Sequence, residues 1–280
     1  MKIRVGFDLQ YECADFTPMI FMLNVHPSRA ADLLAPDTFA IAPVHSTTPY
    51  LDGFGNKCVR ILARSGKLKI KGDAIISDCG RPDPVDLAAE QHAVADLPPE
   101  TLVYLLGSRY CDVDLMTDRA WALFGGTPFG WGRVQAICDF VHRHITFGYQ
   151  HARATRTAEQ AFAEQRGVCR DFAHLSITFC RCLNIPARYC TGYLGDIGVP
   201  PDPAPMDFSA WFEAFIGRRW YTFDARHNIP RIGRVLVARG RDAADVAIST
   251  TFGTNSLRSF HVITHEVPDV PSAIESPKVA

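Results

Sequence analysis

The chain opens on a strict alternation. Ile3, Val5, Phe7, Leu9 and Tyr11 share one face, while Lys2, Arg4, Asp8 and Gln10 share the other, the period-two pattern of a half-buried strand. Short apolar runs follow at 19–25, which His26-Pro27 ends, and at 59–64 and 68–76, on either side of Ser65-Gly66. Asp52-Gly53 and Gly55-Asn56 are turn dipeptides. Together these predict an antiparallel β-sandwich up to about residue 80.

Cys79-Gly80-Arg81-Pro82-Asp83-Pro84 cannot continue a ladder and marks a domain boundary. Past it the period changes. Residues 86–95 and 115–124 have helical composition, and in 133–145 the apolar positions Val134, Ile137, Cys138, Val141 and Ile145 recur at spacings of three and four, which predicts a helix packed on the core. His142 and His144 at its end read as solvated residues that the helix dipole favours. Residues 157–165 predict a helix capped by Thr155 or Thr157 and ended by Gly167.

The next helix starts at Cys169. Phe172, Leu175, Ser176, Phe179, Cys180 and Leu183 crowd one arc of it with Cys169, and Arg170, His174 and Arg181 take the other side. A strand at 187–194 and a proline-rich loop at 199–205 lead to a hairpin, 207–216 and 219–224, around the two-residue turn Gly217-Arg218. If Ile216 faces Arg219, Trp211 faces Asp224, and Ser209 becomes its diagonal neighbour about 7 Å away. Residues 239–246 read as a loop entering a short helix, 260–267 as a last strand and 268–280 as a frayed terminus. The expected organisation is α+β: a sandwich at 1–80, a second unit at 81–267, then the tail.

Composition narrows the function classes. With 29 Lys and Arg against 30 Asp and Glu, the net charge of -1 supplies no basic field for nucleic acid or anionic lipid. No apolar run approaches a membrane span, and the N-terminus alternates where a signal peptide would have an apolar block, so a soluble, cytoplasmic protein is expected. Nine cysteines, an odd number without zinc-type spacings, read as reduced thiols. No phosphate loop, dinucleotide pattern or metal-ligand spacing calls for a cofactor.

The chemistry centres on Cys169. A thiol in the first helical turn lies beside unpaired N–H groups and the positive end of the dipole, both of which favour thiolate. The segments Gly167-Val168-Cys169-Arg170-Asp171-Phe172-Ala173-His174-Leu175, Leu183-Asn184-Ile185-Pro186-Ala187-Arg188-Tyr189 and Trp220-Tyr221-Thr222-Phe223-Asp224 resemble the transglutaminase-like superfamily, in particular a bacterial branch labelled "putative cysteine proteases". The strand-rich N-terminal segment resembles the β-sandwich domain that precedes the papain-like core in that branch. The resemblance implies that Cys169 is the nucleophile and that Asp224 orients a base. In the family a histidine directly precedes the Ala-Trp pair, where this chain has Ser209.

A hydroxyl does not titrate near neutral pH and is too short to span from Asp224 to the sulfur. His174, about 140° around the helix from Cys169, points away from it. His227 falls on the opposite side of the sheet if the strand continues, and reaches the sulfur only if the chain bends after Asp224, a bend that Asn228 and the following Pro230 favour. His151 is a weaker candidate. Three readings follow: a cysteine protease, amidase or acyl transferase acting on amides of peptides or proteins, a pseudoenzyme that binds such chains, and a scaffold with a packed cysteine.

Overall fold

The computed structural model describes residues 1–203 and 206–268; the tail expected at 268–280 lies, beyond Pro268, outside them. Two four-stranded antiparallel sheets form the sandwich. One contains β1 (Lys2–Cys13), β3 (Ala40–Ala42), β6 (Gly66–Ser77) and β14 (Asn255–Val267), in the order β14-β1-β6-β3. The other contains β2 (Thr17–Phe21), β4 (Thr47–Leu51), β5 (Lys57–Ala63) and β13 (Ser249–Thr251), in the order β13-β2-β5-β4. The alternation in β1 is realised directly: Ile3, Val5, Phe7, Leu9 and Tyr11 are at most 4% exposed.

Strand β1 lies inside its sheet, so backbone donors and acceptors on both of its edges need partners. The strand β6 meets one edge, from Lys2↔Ser77 to Cys13↔Gly66. The other is met by β14, from Lys2↔Val267 to Cys13↔Asn255. The strand expected at 260–267 therefore begins at Asn255 and is a sandwich strand, and β13 joins β2 in the opposite sheet. Both come from the far side of the boundary drawn at 79–84.

The second layer is a sheet of β9 (Ala187–Tyr193), β10 (Ser209–Ile216), β11 (Arg219–Phe223) and β12 (Val235–Gly240), ordered β11-β10-β9-β12. Against it packs α4 (Cys169–Cys182), and around α4 pack α1 (Val113–Phe124), α2 (Trp131–His144) and α3 (Ala158–Glu164). The chain is thus α+β. Ile216 pairs with Arg219 as the turn predicts, and Gly217 and Arg218 have φ of 55° and 60°, the left-handed pair of a type I′ turn.

Three expectations change. Residues 239–246 are the end of β12 followed by turns, with no helix. Residues 86–95 form no helix; only a 3₁₀ turn at Val94–Asp96 touches the segment. Its carbonyls serve tertiary partners instead, Ala89 O accepting from Trp131 N and Glu90 O from Gly217 N. Helix α4 is not two-faced either, since every residue from Asp171 to Cys182 is buried, as expected of a helix wrapped by a large core. Arg181 satisfies its buried charge on the carbonyls of Leu106, Ala187 and Arg241. His174 accepts the Ala243 N–H at 3.1 Å and stacks on Tyr110.

Candidate active site

Cys169 is the first residue of α4. Its approach is anchored by the parallel pair β7 (Thr146–Phe147) and β8 (Arg166–Gly167). Two residues into the helix, Asp171 turns back and accepts the Val168 N–H at 2.9 Å, meeting one of the donors that a helix start leaves open. The same carboxylate oxygen accepts from Arg156 at 2.9 Å in a pair with side chains 4% and 0% exposed. Gly167 makes this possible: a Cβ there would lie 2.6 Å from the Asp171 side chain. The Gly-Val-Cys-Arg-Asp spacing is therefore a mechanical unit that fixes the sulfur.

Cys169 is half-buried. Burial around the sulfur pushes the thiol up to about 11, against the Arg226 charge and a hydrogen bond from the Ala210 backbone. Desolvation outweighs both, so the thiol carries its proton at neutral pH, where the helix position led to an expectation of thiolate.

The chain leaves the sheet after Phe223, and residues 225–227 form a turn. Asp224 Oδ1 accepts from the backbone N–H of Arg226 at 3.0 Å and of His227 at 3.2 Å, the self-capping an aspartate offers a turn. The Asn228 N–H closes on Asp224 O at 2.7 Å, with Asn228 in the left-handed region at φ 52°. This bend swings His227 round until its Nδ1 lies 2.8 Å from Asp224 Oδ2. Arg234 meets the same oxygen at 2.9 Å and also pairs with Asp83 at 2.8 Å. Burial works against the Asp224 carboxylate, but Arg234 and His227 outweigh it and hold the group well below the usual carboxylate range.

A narrow cavity of about 60 Å³ is lined by Cys169, Ser209, His227, Tyr149, Arg226 and Asp207, among others. Three of the four candidate residues, Cys169, Ser209 and His227, thus share one cavity. Asp224 is set behind it and connects through the imidazole. Ser209 pairs with Gly192, and its carbonyl accepts from Thr191 Oγ1. The other histidines are accounted for elsewhere. His174 is enclosed, and burial together with Arg170 and Arg181 depresses its protonation. His151 lies in a 3₁₀ turn with its ring 3.4 Å from Gln150.

The pair expected to be solvated is engaged: His144 donates to Phe162 O at 2.8 Å, and His142 Nδ1 lies 3.0 Å from the carbonyls of both Ala225 and Arg226. Sequence reasoning missed Arg234 and Arg156 as supports, since no local pattern marks them; Asn228 was legible as a turn former, though not its bonds to α2. Among the described residues no cluster of His, Cys, Asp or Glu is arranged to hold a metal ion, and no helix is long and apolar enough to cross a membrane.

The family model of the transglutaminase-like superfamily matches residues 124–225, which takes in Cys169 and Asp224 and stops before His227. Over 90 residues the chain is 36% identical to an uncharacterised protein of Mycobacterium leprae (strain TN); the stretch is 31% of this chain and 32% of that protein, so the match spans about a third of the relative. A crystal structure described as that of a "putative cysteine protease" from Cytophaga hutchinsonii matches with a TM-score of 0.83 and 31% identity, covering 97% of this chain and 93% of the other. Joined to the motif around Cys169 and to a fold shared over almost its whole length, this likeness makes the chain a member of the transglutaminase-like superfamily.

Proposed function

We propose that the protein is a cysteine-nucleophile amide hydrolase or acyl transferase acting on peptides or proteins, with Cys169 as nucleophile, His227 as base and Asp224 as the group that orients it. The observation that carries the reading is the 2.8 Å contact of His227 Nδ1 with Asp224 Oδ2, made by an imidazole that lines the Cys169 cavity. With Asp224 ionised, the proton sits on Nδ1 and Nε2 is left as acceptor. A thiol at about 11 does not ionise alone at pH 7, so its proton passes to Nε2 as the sulfur attacks a carbonyl carbon. In this reading the N–H groups at the start of α4 are the donors nearest the nucleophile in sequence and serve the oxyanion. The imidazolium then protonates the departing amine, a thioester remains on Cys169, and water or a second amine releases it with His227 again as base.

Ser209 takes the place of the family's histidine and leaves room for an imidazole delivered from the turn. The nine unpaired thiols suit a reducing, cytoplasmic setting, and the balanced charge argues against nucleic acid as partner. No step calls for a cofactor. The second reading, a catalytically silent binder of peptide chains, draws on the raised Cys169 thiol and the narrow cavity.

Alkylation by iodoacetamide as a function of pH, run beside an amide-hydrolysis assay, separates the two. The enzyme reading expects Cys169 to react far faster than the other eight thiols with a midpoint well below the thiol's own value of about 11, Cys169→Ala to abolish turnover, and His227→Ala to erase that midpoint and cost about a hundred- to ten-thousandfold in rate, the range for loss of a general base. A His227→Ala profile identical to wild type overturns the base assignment.

A further inference from the structure

The turn that carries His227 projects beyond the end of β11 and has no ladder to hold it. Its support comes from one face of α2, where Gln135, Asp139 and His142 follow at i, i+4 and i+7. Asp139 Oδ1 accepts from Asn228 Nδ2 at 2.8 Å and from Gln135 Nε2 at 2.8 Å, and Gln135 Nε2 reaches Asn228 Oδ1 at 3.0 Å. One turn further along, His142 Nδ1 faces two carbonyl oxygens, of Ala225 and Arg226, and so must be the donor. The turn is therefore gripped immediately before His227 by its backbone carbonyls and immediately after by the Asn228 side chain. Between the grips, Asp224 is the ring's hydrogen-bond partner among the described residues, and it sets the ring's rotation.

We infer that Asp139 and Asn228, with His142 assisting, are positioning residues that hold His227 against the Cys169 cavity. They touch neither sulfur nor substrate and act through the imidazole. The inference rests on the proposed role of His227 as base. It follows from geometry: a base delivered by a turn needs an outside reference to stay within hydrogen-bond reach, and a shift of about 1 Å in a reacting group costs on the order of a hundredfold. Helix α2 is such a reference, because Trp131, Val134, Ile137, Cys138 and Val141 are buried in the core. Asn228 is suited to the outer grip because asparagine tolerates the left-handed backbone that closes the turn.

Asp139→Ala and Asn228→Gly test this in the full chain; glycine keeps the turn's backbone and removes only the side-chain bonds. For both, kcat for amide hydrolysis should fall about ten- to a hundredfold with little change in KM. The pH profile of Cys169 alkylation should move toward that of His227→Ala, and Asp139→Asn, which keeps a carbonyl acceptor, should recover much of the loss. Asp139→Ala should add nothing to His227→Ala, since both act on one group. A merely structural role predicts a lower melting temperature with kcat and pH profile unchanged, and that outcome, or additivity with His227→Ala, overturns the inference. Should Asp139→Ala fail to fold, Asn228→Gly decides by the same readouts. If His227→Ala itself leaves the profile untouched, the base reading falls and takes the inference with it, a result distinct from an effect of His227→Ala that the Asp139 and Asn228 variants do not share.

Discussion

Cys169 and His227 face the same cavity from supports of different kinds. The sulfur begins a fourteen-residue helix enclosed on every side, and its position is set by burial and by the ion pair of Asp171 with Arg156. The imidazole, its side chain 23% exposed, sits in a short turn held by hydrogen bonds to Asp224 and to the end of α2. A position fixed by burial is lost only when the fold is lost, because moving it opens the core. One fixed by a few hydrogen bonds, each worth about 1 kcal/mol net, can fail locally while the rest of the molecule stands.

The largest effect expected from breaking this contrast is at the sulfur wall. Asp171→Ala leaves the buried Arg156 with Glu164 as its one carboxylate partner beside the His151 carbonyl, and strips the Val168 N–H of its acceptor. A loss of about 3 to 5 kcal/mol is expected, read as a lower urea midpoint for the whole protein. If Asp171→Ala instead keeps its stability and loses only activity, the sulfur wall is as local as the other and the contrast fails.

Acidification sharpens the comparison with a smaller effect. Asp224 is held low, so its stabilising pairs are complete above the unfolded value of about 3.9 and weaken only as the pH falls below that. The turn should therefore stay intact at pH 5. His26 behaves oppositely. Burial, followed by the charges of Arg239 and Arg188, lowers it to about 4, while an unfolded histidine binds its proton near 6.5. Between those values only the unfolded chain takes up the proton, so stability falls by about 2 kcal/mol from pH 7 to pH 5. Equilibrium unfolding at the two pH values should show the drop, and His26→Gln should shrink it by about that amount, leaving the share of His174, whose protonation burial also depresses; an equal drop in His26→Gln assigns the loss elsewhere.

The smallest expected effect is a gain. Ser209→His, placed in His227→Ala, offers an imidazole from a strand where the native chain uses a turn. About tenfold recovery of hydrolysis, or ~1.4 kcal/mol in barrier, is expected. No recovery would mean that Asp224, committed to the turn and to Arg234, cannot serve a histidine on β10.

How much of this was readable along the chain depended on the distance over which each element is decided. The alternation of β1, the apolar spacing of α2, the Gly217-Arg218 turn and the Cys169 motif are settled within a few residues, and all of them stand. Segment 86–95 has a helix former's composition, but its carbonyls are claimed by Trp131 and Gly217, a tertiary override of propensity. The environments of His174 and Arg181 were misread because helical periodicity cannot count how many neighbours wrap a helix. The bend that delivers His227 was visible only as a turn-forming Asn228; its direction comes from Asp224 capping its own turn and from side chains on α2 nearly ninety positions earlier.

Strand β1 is flanked by β6 on one side and by β14 on the other. Its second neighbour leaves the ribosome some 250 residues after it does, which makes this pairing among the most non-local contacts in the molecule. During synthesis the first strand must wait with one unpaired edge, a surface open to stray strands, until residues 255–267 arrive to seal it. The β-sandwich is thus first to be translated and last to be completed, and the cysteine-bearing layer is already made by the time it closes.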